Sequence, residues 1–466
     1  MAKKVISIYE KSEANALETV GSAAGADMLE IRVDGFSSVG GAVDFAAFRS
    51  RARLPLIYTR RGAGFDPGEA SRALEAGFEF VDIELDRSFE PAGLAAFASR
   101  AILSSHDFES TPELEPLLSR MMSFGAAGIK IAVTPRRFDD NLKILRTLKA
   151  ARGEGVTLFG MGSRGLYSRI LAPYYGSALS FVSARDDAAA APGQFTSERA
   201  REIWGRGELT EPEAIFAVAG NPAAHSLSPV IHNAKFRRAK VSAAYTIAEV
   251  ETLDEVGSRL IEGDPLAPRG LSITAPFKID ALEMARRNEA AISARALRCG
   301  AVNTLVRLPD GRLLADNTDV EGIAAGLGTR RGGRAAIVGT GGTARAALVA
   351  LRMADFDVSI YGRSLEEIDD HANEERVSLR PLERLERFDG EVLVDTTSAS
   401  ALVPYPASIA RPGNLVIDAA YSPQRSDRLE DLVREGVEVF GGTAVLEAQA
   451  VSQSRLFMQA LGRRKG

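Results

Sequence analysis

Eight short apolar runs recur through the first two hundred residues of this 466-residue chain, and their spacing limits the folds open to it. They are 4–9 (KVISIY), 27–33 (DMLEIRV), 55–60 (PLIYTR), 78–85 (FEFVDIEL), 100–107 (RAILSSHD), 128–134 (GIKIAVT), 156–162 (VTLFGMG) and 178–184 (ALSFVSA). Longer amphipathic stretches of Ala, Leu, Glu and Arg separate them. Apolar runs bounded by glycine and joined through helical segments are parallel βαβ units. Eight units in about 200 residues is the count that closes a (β/α)8 TIM barrel. A doubly wound open sheet is the alternative, but it needs fewer strands.

The polar residues within these runs point to a site. Glu30 and Arg32 come late in the second run, Arg60 and Arg61 close the third, and Glu84 lies near the end of the fourth. His106 and Asp107 end the fifth, Lys130 sits in the sixth, and Ser163 and Arg164 follow the seventh. Barrel enzymes gather their catalytic groups at these C-terminal strand ends. Any one of these residues, Arg60 above all, can be a rim salt bridge. Charge recurring on strand after strand implies a polar ligand at the mouth. Lys130 lies within Gly128-Ile129-Lys130-Ile131-Ala132-Val133, where a solvated ammonium has no place. A buried lysine amine can attack a carbonyl to form a Schiff base. It can equally be a structural cation paired with Glu84 or Glu30, and spacing leaves both readings open. His106 is the candidate proton-transfer group.

SSHDF (104–108), GIKIAVTP (128–135), EIRVD (30–34) and APGQ (191–194) together resemble type I 3-dehydroquinate dehydratase over about residues 1–200. The resemblance implies that Lys130 forms an imine with the substrate ketone. His106 then removes the C2 proton and expels the C1 hydroxyl, with Glu84 assisting His106. Glu30, Arg32, Arg61, Arg169 and Gln194 match positions that hold substrate hydroxyls and carboxylate, and no metal is required. Two departures fall in the lid region. Ala190 stands where the family carries Ser, and the loop after Arg61 reads GAGFDPG without the usual Glu-Gly-Gly.

Beyond a Gly-, Pro- and charge-rich linker at 206–213 the pattern changes. The strand RAAIVG leads into a Gly-rich turn at 338–345 (VGTGGTAR) and an amphipathic helix. Gly339, Gly341 and Gly342 permit a tight turn and backbone approach to a pyrophosphate at the helix N-terminus. At the end of the following strand, where an NAD site often carries an acid, the chain reads Tyr361-Gly362-Arg363-Ser364. An arginine there favours a 2′-phosphate, so Arg363 argues for NADP.

Three further clusters precede this turn: GNPAAHSLSPVIHN (220–233), GLSITAPFK (270–278), and AVNTLV (301–306) with DNTD (316–319). Each alone is ordinary turn chemistry. Together they resemble shikimate dehydrogenase from about residue 214 to the end. That resemblance implies a catalytic pair, Lys278 and Asp319, and NADPH as the hydride donor to 3-dehydroshikimate. Ser226, Ser228, Thr274, Asn303, Tyr421 and Gln449 would bind substrate. Gly339, Gly341, Gly342, Thr343, Arg363, Ser364, Thr397 and Gly442 would bind the cofactor. Ser272, Ser400, Ala401 and Val445 depart from the usual residues of the substrate and nicotinamide pockets.

The expected architecture is α/β throughout: a barrel over 1–205, a linker over 206–213, and a two-lobed dehydrogenase. Its substrate-binding lobe spans 214–320, completed by about 441–466, and its Rossmann NADP-binding domain spans 321–440. The expected function is bifunctional: dehydration of 3-dehydroquinate, then NADPH-dependent reduction to shikimate. One rival has the second half oxidising quinate as well; another is a catalytically silent quinate-pathway sensor, which expects lost catalytic residues. The net charge of −5 gives no broad basic surface for nucleic acid, and no apolar run is long enough for a membrane span. One cysteine, Cys299, and no signal-like start fit a cytoplasmic protein. His225 and His232 are expected to be local structure around the serine turn, and His371, among Asp370, Glu374 and Glu375, to be solvated.

Overall fold

The computed structural model describes residues 2–36, 42–62, 65–85, 94–185, 187, 190–191, 193–398 and 400–463. Ala63 and Gly64 of the loop after Arg61, and Pro192 of the APGQ loop, lie outside the described residues. The chain folds as two compact units, Met1–Glu213 with Ala224–Val250, and Ala214–Ala223 with Glu251–Gly466.

Every apolar run of the first two hundred residues becomes a strand, its ends within two residues of their expected positions. These are β1 (Lys3–Ile8), β2 (Met28–Arg32), β3 (Leu56–Thr59), β4 (Phe80–Glu84), β5 (Ala101–Asp107), β6 (Gly128–Val133), β7 (Val156–Gly160) and β8 (Leu179–Ser183). They lie in the order β7-β6-β5-β4-β3-β2-β1-β8, a nearly closed parallel barrel. At the β7–β8 seam, Ala178 N–H donates to Val156 O at 2.8 Å, and Leu179 N–H donates to the Thr157 hydroxyl at 3.0 Å. Between strands run helices with one apolar face. In Phe138–Ala150, Phe138, Leu142, Leu145 and Leu148 recur at helical spacing, and none is more than 2% exposed. Parallel register sets Glu30 beside Ser7, Ser104 beside Glu84, and Lys130 beside Ser104. Period-two alternation therefore turns a set of polar side chains to one face of the sheet.

The remaining strands are β9 (Ala214–Gly220), β10 (Ala243–Glu249), β11 (Pro268–Ile273), β12 (Ala291–Ile292), β13 (Thr304–Arg307), β14 (Leu313–Asp316), β15 (Arg334–Val338), β16 (Asp357–Gly362), β17 (Ser378–Pro381), β18 (Val392–Asp395), β19 (Leu415–Asp418) and β20 (Glu438–Phe440). The segment Ala224–Val250 of the first unit holds the helix Ser228–Arg238 and β10, braced where Asn233 bonds both backbone polar groups of Tyr245. His232 is buried and stacks on Tyr245 with centroids 4.5 Å apart, whereas His225 is exposed.

In the second unit, β9 and β11 run parallel, β11, β13 and β14 antiparallel, and β12 joins β14 in parallel. A second sheet, wholly parallel, has the order β17-β16-β15-β18-β19-β20. The order reverses between β15 and β18, the crevice at which open α/β sheets bind ligands. The helix Gly342–Met353 follows β15 and buries Ala344, Ala346, Ala347, Leu348 and Leu351 completely.

Two polar residues of this unit depart from the usual surface pattern. His371 is only 4% exposed, correcting the expectation that it is solvated. The helix Asp369–Glu374 turns His371 and Ala372 inward while Asp369, Asp370 and Glu374 face out, so acidic sequence neighbours did not mark the histidine's own face. Burial, and then the Arg345 charge, push its imidazole pKa down.

Arg425 is 1% exposed and bonds Asp395, at 3.2 Å, and Asp418, two acids with no exposure at all. Its Nη2 also donates to Thr397 Oγ1 at 2.6 Å, and to Ser398 O and Ala401 O at 2.8 Å. Arg428 is the second cation of this cluster. Arg425→Met leaves one guanidinium for two buried carboxylates. The expected cost is about 3–5 kcal/mol, the usual penalty for an orphaned buried charge. Urea unfolding checks this, and an unchanged midpoint would refute it.

Candidate active sites

A cavity of about 360 Å³ opens at the C-terminal ends of the barrel strands, lined by Glu30, Arg32, Arg61, Glu84, His106, Lys130, Arg169 and Gln194. All eight barrel residues expected from the sequence therefore converge. Lys130 is 5% exposed, with Nζ 3.3 Å from Glu30 Oε1, 3.2 Å from Asp82 Oδ2 and 3.8 Å from the Phe181 ring centroid. It pairs with Glu30, not with Glu84, and it also lines the cavity. Burial alone would raise the Glu30 and Asp82 carboxyls. The Lys130 charge, with Arg32 acting on Glu30 and Arg61 on Asp82, outweighs burial and holds both below the ordinary range.

His106 Nδ1 lies 2.9 Å from Glu84 Oε1. Burial would raise the Glu84 carboxyl, but the His106 hydrogen bond and Arg61 bring it down to about 2. Burial and Arg61 lower His106 to about 4. The pair at neutral pH is thus a neutral imidazole on an ionised carboxylate. An ionised carboxylate only accepts, so Nδ1 carries the proton and the Nε2 lone pair is left to act as a base. Arg61 reaches Asp82 at 2.9 Å, Glu84 at 3.0 Å and the Ser104 hydroxyl at 2.9 Å. Arg32 is held by Asp34 through two bonds of 3.0 and 2.7 Å.

Arg169 differs from these. It donates through Nε to Gly160 O at 3.1 Å and lies over Phe159, but its buried Nη2 has no partner among the described residues. Burial alone lowers its pKa to about 10. A desolvated cation with a spare donor fits an anionic ligand. Gln194 donates to the Ser7 hydroxyl at 3.3 Å and accepts from Ala190 N–H at 2.7 Å, tying its loop to β1. Arg60 instead makes two bonds to Glu69, at 2.5 and 2.8 Å, as a rim salt bridge.

The second unit assembles another constellation. Lys278, at the start of the helix Lys278–Arg287, places Nζ 2.5 Å from Asp319 Oδ2 and 2.8 Å from Thr343 Oγ1. Lys278 is 9% and Asp319 4% exposed. Asn303 Nδ2 donates to Asp319 Oδ1 at 2.8 Å, Thr318 Oγ1 at 3.0 Å and Gln449 Oε1 at 3.3 Å. Its amide is engaged within the protein and fixes Asp319. Ser226 and Ser228 lie on the first unit's segment Ala224–Val250, where the Ser226 hydroxyl accepts from Ser228 N–H at 3.2 Å. Thr274 follows β11, and Tyr421 precedes the helix Pro423–Arg434.

The glycines of the turn after β15 divide their work. Gly339 has φ +115°, a region open to glycine. A Cβ on Gly342 would lie 2.7 Å from Lys278 Cβ, so that glycine admits the lysine. A Cβ on Gly341 would meet nothing within 4 Å, which leaves space for a ligand at the helix N-terminus. Arg363 is exposed and Ser364 half-buried just past β16. Thr397 spends its hydroxyl on Asp395 and Arg425, and Gly442 packs where a Cβ would come 2.3 Å from Ala420 O.

The type I 3-dehydroquinase family matches residues 5–206, and the shikimate dehydrogenase substrate binding domain matches residues 218–305. The chain therefore carries a type I 3-dehydroquinase domain followed by a shikimate dehydrogenase substrate binding domain. The bifunctional 3-dehydroquinate dehydratase/shikimate dehydrogenase, chloroplastic, of Arabidopsis thaliana is 27% identical across 97% of this chain and 79% of its own length. The pentafunctional AROM polypeptide of Yarrowia lipolytica is 28% identical across 93% of this chain, which spans 30% of that polypeptide. The solved shikimate 5-dehydrogenase of Thermus thermophilus, in complex with NADP(H) and shikimate, is 29% identical across 52% of this chain and 93% of its own, with a TM-score of 0.44.

The chain is a lyase and an oxidoreductase of the shikimate pathway. Among the described residues no helix is long and apolar enough to cross a membrane. Sequence reasoning missed Asp82, which is 3% exposed and bonded to Lys130, Arg61 and Ser104. The signal was present: Asp82 and Glu84 stand two apart in FEFVDIEL, on one face of β4. It also missed Gln453, which accepts from Ser272 Oγ at 3.0 Å and donates to Thr304 Oγ1 at 3.2 Å.

Proposed function

We propose that Lys130 is the nucleophile of the dehydratase and that His106, held by Glu84, moves its protons. The single observation that supports this most is Lys130 buried between two carboxylates yet lining the cavity that His106 shares. Lys130 Nζ gives up a proton within this carboxylate cluster and attacks the C3 ketone of 3-dehydroquinate. Loss of water from that adduct gives the imine. His106 Nε2 takes the C2 proton, and the electron pair expels the C1 hydroxyl, which leaves as water with the proton returned by His106. Hydrolysis of the imine releases 3-dehydroshikimate and restores Lys130. Glu30, Arg32, Arg61 and Gln194 hold the substrate's hydroxyls, and Arg169 binds its carboxylate.

Arg169→Gln is expected to raise KM for 3-dehydroquinate roughly 30- to 100-fold, the loss of a charge-assisted hydrogen bond worth about 2–3 kcal/mol. Steady-state kinetics of dehydration measure it. A KM within twofold of wild type would remove Arg169 from the carboxylate site.

For the reductase we assign the catalytic pair Lys278 and Asp319, with NADPH as cofactor. The open space at Gly341, the helix N-terminus behind it and the exposed Arg363 fit a dinucleotide carrying a 2′-phosphate. When bound, that cofactor supplies hydride to C3 of 3-dehydroshikimate. Lys278 gives the ketone oxygen its proton, and Asp319, fixed by Asn303, holds the ammonium in place. Thr274, Asn303, Tyr421 and Gln449 bind the substrate hydroxyls and carboxylate. Thr343, Ser364, Thr397 and Gly442 border the cofactor. The proposed domains are 1–205, 214–320 with about 441–466, and 321–440, joined after the barrel by 206–213. The proposed compartment is the cytoplasm, on the strength of a single buried cysteine, Cys299.

A further inference from the structure

The Gly-rich turn holds the end of β16 from above. A Cβ on Gly362 would come 2.6 Å from Thr340 Cγ2, so Thr340 rests directly on the last residue of that strand. Gly339 N–H donates to Tyr361 O at 2.9 Å. The Thr340 hydroxyl donates to Glu367 Oε2 at 2.9 Å. Arg345 Nη2 donates to the main-chain oxygen of Glu367 at 2.5 Å, fixing the short turn Leu365–Glu367 against the helix that follows the Gly-rich loop. A carboxylate is thus anchored beside the turn, four residues beyond Arg363.

In a sheet of this order the adenosine ribose of a dinucleotide reaches the end of the strand next to the Gly-rich one, here β16. An acid at that point accepts from a ribose hydroxyl and repels a 2′-phosphate; an arginine does the reverse. This chain carries both. We infer that Glu367 is a specificity-determining residue that opposes Arg363, so that the reductase accepts NADH alongside NADPH instead of excluding it. The inference rests on the dinucleotide reading of the Gly-rich turn.

Glu367→Gln in the full chain tests it, because the amide keeps an acceptor for Thr340 and removes only the charge. Binding of NADPH and of NADH is measured by titration calorimetry without substrate, at low and at high salt. The variant should bind NADPH roughly 3- to 10-fold more tightly at low salt, with a smaller gain at high salt, as for a partly screened charge. NADH binding should stay level or weaken. If both cofactors shift together, or neither shifts, Glu367 does not set the choice. If the unsubstituted chain binds NADPH but shows no NADH binding, Glu367 fails as the opposing group while the dinucleotide reading stands. If the unsubstituted chain binds neither, the dinucleotide reading fails and this inference with it.

Discussion

Lys130→Met should lower the rate of 3-dehydroquinate dehydration by about 10⁴-fold or more, the scale seen when a covalent nucleophile is removed. Reduction of 3-dehydroshikimate by the same chain should stay within about twofold. Methionine nearly matches the lysine in length and should lay its apolar thioether near Phe181, over which the ammonium sits, so the cavity wall survives. What disappears is the amine. Glu30 and Asp82 then lose one of the charges that offset their burial, which moves both carboxyls upward while Arg32 and Arg61 still oppose the shift. Retained reductase activity alone does not report on the barrel, so thermal unfolding and substrate binding accompany the kinetics. Borohydride added during turnover should attach the reduced substrate mass to the Lys130 peptide of the unsubstituted chain. Absence of an adduct at Lys130 sinks the imine mechanism, whatever the kinetics of the variant.

The second large effect mirrors the first. Lys278→Met should reduce kcat for 3-dehydroshikimate reduction by about 10²–10⁴-fold, the range for a positioned proton-transfer group, and leave dehydration unchanged. Lys278 is the cation bonded to Asp319 Oδ2, so the variant strands a nearly buried carboxylate. Asn303 Nδ2 still donates to Asp319 Oδ1 and limits the disturbance. NADPH binding separates lost chemistry from lost structure: it should survive if only the proton donor is gone and fail if the turn, which the Lys278 head group meets at Thr343, has shifted. A kcat within fivefold of wild type would assign the proton to another donor.

The parts of this molecule that the sequence made legible are those governed by local periodicity. The barrel strands show as apolar runs because each is buried, and Arg32, Glu84 and His106 show because they interrupt those runs. The Gly-rich turn after β15 was legible for a similar reason: only a tight strand-to-helix connection asks for so much glycine. Long-range pairing was not. Nothing near Arg425 announces that Asp395, 30 residues earlier, and Asp418 share its buried cluster. Gly342 looked like a phosphate residue, yet its lack of a side chain admits Lys278 from a helix 64 positions away, a closeness only the tertiary fold creates. His371 was misjudged because Asp369, Asp370 and Glu374 beside it in sequence face out while the histidine itself turns inward. Nor does the sequence show that the Asn303 amide, 16 residues before Asp319, donates to it as well as to Thr318 and Gln449.

The most direct test of the whole account supplies the chain with 3-dehydroquinate and NADPH together and follows the absorbance of the reduced nicotinamide. The account predicts that NADPH is oxidised one for one with 3-dehydroquinate consumed and that shikimate accumulates. No oxidation from 3-dehydroquinate, in a folded chain that oxidises NADPH when given 3-dehydroshikimate, would contradict it.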